Sequence, residues 1–74
     1  MARIGFYGRL AEHFGREIAL DLPDEGCTVG ELRARFDGLD PATVRACVND
    51  VVAGEDGQVR PGDRVDFLPP LSGG

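Results

Sequence analysis

The last residues of the chain hold the groups best suited to chemistry. The sequence closes with Pro69-Pro70-Leu71-Ser72-Gly73-Gly74. Proline fixes φ and pushes the preceding residue out of the helical region, so the two prolines predict an extended root. Glycine has no side chain, so Gly73 and Gly74 could enter a tunnel too narrow for other residues. The sequence predicts an extended arm, about 20 Å long, that offers the Gly74 carboxylate to the active site of a partner.

A pair of glycines at this position would also fit a flexible end or a cloning remnant. The order of the preceding residues favours a functional arm, because a strand-like segment leads into the prolines and the chain then closes on small residues. We therefore divide the chain into a folded domain over residues 1–68 and an arm over residues 69–74.

The rest of the chain offers no comparable chemical group. His13 is the only histidine, and we expect it on the polar side of a short helix. Asp63 and Asp66 are interpreted as turn and solvent-face residues, and we predict no metal site. Cys27 and Cys47 are too few for a zinc or iron–sulfur site, and a reducing cytosol disfavours a disulfide between them. Both are predicted to be packing residues, since free cysteine behaves as a small hydrophobe.

Composition limits the class of protein. A chain of 74 residues, 42% hydrophobic and 28% charged, fits one small globular domain. It has no apolar run near the ~20 residues that span a bilayer and no signal-peptide pattern, so we expect a cytoplasmic protein without membrane contact. The net charge of −5 argues against nucleic acid and suggests a protein partner with a basic docking surface. Lysine is absent, so the chain could not build lysine-linked chains of itself.

The first half of the chain predicts two strands and a short helix. Residues 3–8 alternate, with Ile4 and Phe6 on one face, and residues 18–22 alternate in the same way. Residues 9–14 between them predict a helical turn. The two strands are therefore expected to pair as an antiparallel hairpin.

A longer helix is predicted after residue 28. Thr28 and Glu31 have the spacing of a capping box, in which each side chain accepts a hydrogen bond from the other residue's backbone N–H. Val29, Leu32 and Phe36 then share one helical face, and Gly38 is a plausible terminator. Because this helix is short, its apolar stripe must lie on a sheet.

The second half predicts three more strands. Residues 44–48 and 51–53 flank a tight Asn49-Asp50 turn, and residues 60–63 carry Pro and Gly where a type II turn needs them. Residues 64–68 form the last strand, with Val65 and Phe67 inward. The predicted fold class is α+β: a mixed sheet of about five strands with one main helix packed across one face.

Several of these segments resemble the small subunit of molybdopterin synthase, MoaD, of the ubiquitin-like MoaD/ThiS sulfur carriers. The resemblance covers nearly the whole chain, and the Phe-x-Pro-Pro-x-x-Gly-Gly ending is its most specific part. It implies a β-grasp fold. The matching segments are Phe6-Tyr7-Gly8-Arg9-Leu10-Ala11-Glu12, Pro61-Gly62-Asp63-Arg64-Val65 and Phe67-Leu68-Pro69-Pro70-Leu71-Ser72-Gly73-Gly74.

The resemblance implies that the chain carries sulfur. An adenylating enzyme (MoeB-like) would activate the Gly74 carboxylate with ATP and Mg, and a sulfur donor such as a cysteine desulfurase or a rhodanese-like protein would convert it to a thiocarboxylate. The arm would then enter the large synthase subunit (MoaE-like) and pass sulfur to cyclic pyranopterin monophosphate. The chain would have no active site of its own, would bind no cofactor, and would act as the sulfur-donating subunit.

A docking surface is expected beside the arm. Inward Phe6 and Phe67 require Tyr7 and Leu68 to point to the opposite face, where Val52 can join them. A helix covers only one face of a small sheet, so these three residues would form an exposed apolar patch. The resembling family uses this face for both the activating enzyme and the large subunit.

Other functions fit the same features. A sulfur carrier for thiamine or tRNA thiolation could have the same fold. A protein modifier would instead form an isopeptide bond between Gly74 and a target lysine. A plain β-grasp binding module would use neither reaction, and its iron–sulfur form is excluded because a plant-type cluster needs four cysteines.

Overall fold

The computed structural model describes residues 1–70, which form a five-stranded mixed sheet, a small two-stranded sheet and two short helices. The outer part of the predicted arm and its reactive end fall on Leu71, Ser72, Gly73 and Gly74, which lie outside the described residues. The elements in chain order are β1 (Ala2–Phe6), α1 (Arg9–Phe14), β2 (Glu17–Leu20), β3 (Cys27–Thr28), α2 (Val29–Arg33), β4 (Arg45–Val48), β5 (Val51–Ala53), β6 (Gln58–Val59) and β7 (Arg64–Leu68).

The main sheet has the strand order β2-β1-β7-β4-β5. The first and last strands, β1 and β7, are parallel neighbours at its centre, and every other pairing in it is antiparallel. The predicted α+β class, with a mixed sheet of five strands and one main helix on one face, is confirmed. Because β1 and β7 run the same way, the segments that come after them leave the sheet at the same end.

The core lies between α2 and one face of this sheet. The largest fully buried side chains include Ile4, Leu32 and Phe67, which come from a strand, the helix and another strand. Phe6 stacks on Phe14 of α1 with ring centroids 4.9 Å apart and meets Phe36 edge-on at 5.3 Å. Burial of these large side chains is the main source of stability in so small a domain.

The capping box at the start of α2 is present as predicted. Glu31 N donates to Thr28 Oγ1 at 3.1 Å, and Thr28 N donates to Glu31 Oε1 at 2.8 Å. The α-helical part is shorter than predicted and ends at Arg33. The next turn continues with tighter bonds three residues apart, such as Phe36 N to the Arg33 carbonyl at 3.1 Å, which carries Phe36 onto the core.

Arg33 is buried, which its charge did not predict. Its guanidinium bonds Glu55 at 2.7–2.8 Å and the Val44 carbonyl at 2.7 Å, and it lies 5.5 Å from the centre of the Phe67 ring. A buried charge is tolerated only when it is paired and hydrogen-bonded in this way. Arg33 therefore ties α2 to the segments on either side of the β4–β5 hairpin.

A second, two-stranded sheet was not predicted. Strands β3 and β6 pair antiparallel through Cys27↔Val59 and Thr28↔Gln58. Two-residue strands are too short to show the alternation from which the longer strands were predicted. Among residues 1–70, no helix is both long and apolar enough to cross a membrane.

Candidate functional site

The face of the main sheet opposite α2 is open, and the register of the strands defines which residues lie on it. Alternate residues of each strand point away from the core. We define the open face as Glu17 and Ala19 on β2, Arg3 and Gly5 on β1, Arg64, Asp66 and Leu68 on β7, Arg45 and Cys47 on β4, Val52 on β5, and Tyr7 just after β1.

The three residues predicted to dock partners do not form one continuous patch. Tyr7 is 44% exposed, Val52 is 68% exposed, and Leu68 is half-buried. Leu68 lies opposite Arg45, whereas Val52 lies opposite Cys47 on the other side of β4. Tyr7 and Leu68 follow the paired residues Phe6 and Phe67, so they are neighbours at the end of the sheet where the arm begins. Val52 is separated from them by the width of a strand.

Cys47 occupies the gap in this surface, so its prediction as a packing residue is wrong. Its neighbours Ala46 and Val48 face the core, which places Cys47 on the open face, half-buried, beside Val52. Cys27 does pack against the core, and both thiols are free. The alternating pattern of β4 contained this information, because Ala46 and Val48 could not face inward together with Cys47.

The centre of the open face is polar and is organised by Arg64. Its guanidinium bonds Glu17 Oε1 at 3.1 Å, Asp66 Oδ2 at 3.3 Å and the Tyr7 hydroxyl at 3.5 Å. These contacts raise the pKa of Arg64 above its ordinary value, and the hydrogen bond to Tyr7 contributes most. Glu17 also pairs with Arg3 at 3.4 Å. The side chain of Arg64 therefore lies across the strands and connects Tyr7 to the polar centre.

Asp66 is more buried than its prediction as a solvent-face residue allowed, at 6% exposure. Its Oδ1 lies 3.1 Å from Arg64 Nη2 as an ion pair without hydrogen-bond geometry. Asp63 is a turn residue as predicted, since its carboxylate accepts from Arg60 N at 2.9 Å and from Asn49 Nδ2 at 3.2 Å. His13 is exposed on α1, also as predicted. Within residues 1–70 no three metal-ligating side chains cluster together.

The open face does not share the acidic character of the whole chain. It carries three arginines and two acidic residues, and both acids are paired with arginines of the same face. Arg45, beside Leu68, forms no ion pair within the described part of the chain. Composition alone suggested an acidic docking surface; the sheet places most of the acidic residues elsewhere.

The root of the arm rests on the segment just after β1. Pro69 is half-buried and Pro70 is exposed. The Gly8 Cα lies under the Pro69 ring, and a shallow groove lined by Tyr7, Gly8, Arg16 and Arg64 runs past it. This end of the sheet thus brings together the predicted docking residues Tyr7 and Leu68 and the first residue of the arm. The sequence analysis gave no separate role to Gly8, Arg64 or Gly5.

The family profile that matches this chain is that of the ThiS family, over residues 4–74. No curated protein sequence matches it. Among solved structures, SAMP1 from Haloferax volcanii is 26% identical with a TM-score of 0.75, over 99% of this chain and 98% of that one.

Two further structures share the fold at lower identity. A Pyrococcus furiosus protein described as molybdopterin converting factor, subunit 1, is 24% identical with a TM-score of 0.75, over 95% of this chain and 97% of that one. The BexX/CysO complex of Amycolatopsis orientalis contains a chain 22% identical with a TM-score of 0.70, over the full length of both. These likenesses confirm the β-grasp fold that the resemblance implied.

Proposed function

The chain belongs to the ThiS family of ubiquitin-like sulfur carriers and modifiers, and we propose that it carries sulfur as a thiocarboxylate on Gly74. A carboxylate is a poor electrophile, so it must first gain a leaving group. In the proposed reaction a carboxylate oxygen attacks the α-phosphorus of ATP and pyrophosphate leaves. The terminal sulfur of the donor's persulfide then attacks the acyl carbon and AMP leaves. A thiol cleaves the S–S bond of the resulting acyl disulfide, which releases the Gly74 thiocarboxylate and leaves a disulfide between that thiol and the donor.

Catalysis in this scheme belongs to the partners. The adenylating enzyme supplies the ATP site and the Mg, and a cysteine desulfurase or rhodanese-like protein supplies the sulfur. The carrier contributes an arm that ends in two residues without side chains and a surface that brings the arm to the partner. We place these events in the cytoplasm.

One observation carries the proposal: the root of the arm lies at the same end of the sheet as Tyr7 and Leu68, two of the three predicted docking residues. Parallel pairing of β1 with β7 sets Phe6 beside Phe67, and this places Tyr7 next to Leu68 and Gly8 next to Pro69. A partner that grips Tyr7 and Leu68 would therefore hold the arm at its base. Fixing the arm in this way lowers the entropic cost of delivering its tip to an active site.

Within the family, we propose the molybdopterin pathway, with a MoaE-like large subunit as the acceptor and cyclic pyranopterin monophosphate as the substrate. Its support is the Phe67-Leu68-Pro69-Pro70 sequence at the base of the arm, together with the likeness to the Pyrococcus protein. Thiamine and tRNA thiolation use the same carrier chemistry. Co-purification with a molybdopterin-synthase large subunit supports our choice, and co-purification with a thiazole synthase overturns it.

A second candidate function is protein modification, favoured by the similarity to SAMP1 and to a structure described as small archaeal modifier protein 1 of H. volcanii. The two functions differ in the final acceptor of the Gly74 acyl group. A modifier would give isopeptide conjugates on lysines of other proteins in cell extracts. A carrier would give a free thiocarboxylate.

The direct test is an intact mass after incubation with an activating enzyme, ATP and a sulfur source. We expect a gain equal to the exchange of one oxygen for sulfur, located on the last residue by fragmentation. Deletion of Gly74 should abolish the gain, and Cys27→Ser and Cys47→Ala should not. Sulfur found as a persulfide on either cysteine, or a gain that survives deletion of Gly74, contradicts the proposal.

A further inference from the structure

Gly8 and Pro69 touch although they lie 61 positions apart in the sequence. An alanine methyl group at Gly8 would lie 3.0 Å from Pro69 Cγ and 3.9 Å from Pro69 Cδ. The first of these distances is tighter than ordinary van der Waals contact, so the proline ring or the backbone would have to move by a few tenths of an ångström. The bare Cα of Gly8 is therefore the surface on which the ring rests.

The backbone at Gly8 independently requires glycine. Its φ of 58° and ψ of −132° lie in a region that L-residues with a Cβ avoid. This conformation turns the chain from β1 into α1, and the Gly8 carbonyl accepts a bond from Ala11 N at 3.1 Å. The turn and the contact with Pro69 thus depend on the same residue.

The Pro69 ring joins the last strand of the sheet to Pro70. Proline fixes its own φ and restricts the residue before it. Leu68 is held by its pairing with Arg45 in the sheet. Since both sides of the Leu68–Pro69 junction are constrained, a shift of the Pro69 ring is passed on to Pro70, the next residue of the arm.

We propose that Gly8 is a positioning residue, which seats the Pro69 ring and so sets the direction in which the arm leaves the domain. This inference rests on the proposed function, because it concerns how the arm reaches a partner's active site. Gly8 itself would touch neither the nucleotide nor the sulfur donor.

Four variants separate the two demands on Gly8. Gly8→Ala is unfavourable in two ways, because alanine avoids this backbone conformation and its methyl group crowds the Pro69 ring. D-alanine in place of Gly8, introduced by chemical synthesis, avoids both effects, because its preferred φ is positive and its methyl group points away from the L position. Pro69→Ala removes Cγ and hence the contact, and the double variant Gly8→Ala/Pro69→Ala keeps only the backbone strain.

The reaction measured is thiocarboxylate formation with the activating enzyme, ATP and a sulfur source. Its kcat and the dissociation constant of the carrier from the activating enzyme are determined separately. We expect Gly8→Ala to lower kcat about tenfold, because small misplacements of a reacting group are costly, and to leave the dissociation constant near that of the wild type. D-alanine should restore wild-type kcat. The kcat of the double variant should be lower than that of Pro69→Ala by markedly less than tenfold, because two residues in contact are expected to be energetically coupled.

The inference is overturned by a Gly8→Ala variant with wild-type kcat or by an inactive D-alanine protein. It is also overturned if Gly8→Ala lowers kcat by the same factor in the presence and absence of Pro69. Thermal unfolding of each variant corrects for the folded fraction. An NMR cross-relaxation signal between the Gly8 Hα and Pro69 Hγ protons, measured without a partner, tests the contact by itself. A wild type that forms no thiocarboxylate would refute the proposed function, whereas a missing proton contact would refute only this inference.

Discussion

The carboxylate of Asp66 lies directly on the Cα of Gly5, its partner in the parallel pairing of β1 with β7. An alanine methyl group at Gly5 would overlap Asp66 Oδ1 and approach Arg64 Nη2 to 3.1 Å. The absence of a side chain on one strand thus makes room on the next for the buried carboxylate of an ion pair whose arginine is partly exposed.

We predict that Gly5→Ala lowers the free energy of unfolding by about 2 kcal/mol, as expected when a methyl group is forced into filled space. The matched control is Gly54→Ala, where the nearest atom to the new methyl group would be 3.7 Å away. Urea unfolding measures both. A second variant, Gly5→Ala/Asp66→Ala, should recover part of the loss, and equal stability of the Gly5 and Gly54 variants would contradict the steric explanation.

Val51 and Val52 provide a matched pair for the docking surface. They are 67% and 68% exposed, but they point to opposite faces of the sheet. Val52→Asp should weaken binding to the activating enzyme by about 1 kcal/mol, and Leu68→Asp by about 2 kcal/mol if Leu68 is a hot spot. Val51→Asp should bind like the wild type. Calorimetry checks all three, and equal losses for Val51 and Val52 would place the interface at the edge of the sheet rather than on its open face.

In the β4–β5 turn, we expect glycine substitutions at two adjacent positions to change stability in opposite directions. Asn49 and Asp50 both have positive φ, 50° and 70°, which glycine adopts without strain. Asp50→Gly should therefore raise the free energy of unfolding by about 0.5 kcal/mol. Asn49→Gly should lower it by about 1 kcal/mol, because Asn49 Oδ1 accepts from Arg64 N at 3.0 Å and Nδ2 donates to Asp63 at 3.2 Å. Thermal unfolding of both variants distinguishes the roles of side chain and backbone.

The thiol of Cys27 should make stability depend on pH in the alkaline range. Burial raises its pKa, Arg35 opposes the shift and Glu31 adds to it. The folded protein thus holds this proton more tightly than the unfolded chain, so the stabilisation is complete below the unfolded pKa of about 8.5 and is lost as pH rises towards the folded value. Cys27→Ala should remove this part of the decline in urea unfolding. Native Cys27 should also react with iodoacetamide more slowly than in the unfolded chain, and equal rates would contradict the shift.

Local patterns determined much of the structure. Alternation gave the central strands, the spacing of Thr28 and Glu31 gave the start of α2, and the positions of Asn49, Asp50 and Gly62 gave two turns. Each of these features depends on residues within about one turn or one strand of each other, where side-chain spacing and backbone preference act directly. The paired prolines and the glycines after them likewise predicted an arm without any knowledge of the fold.

Only the tertiary structure decided which residues meet. Alternation assigns a residue to a face of its own strand, but it does not say which strand lies alongside or in what register. Three sets of contacts depend on the parallel pairing of β1 with β7. They are the contact of Pro69 with Gly8, that of the Asp66 carboxylate with Gly5, and the hydrogen bonds of Arg64 to Glu17 and Tyr7. The separation of Val52 from Leu68 depends on the insertion of β4 between β7 and β5. Contacts across such sequence distances are fixed by packing of the whole core, and no local preference specifies them.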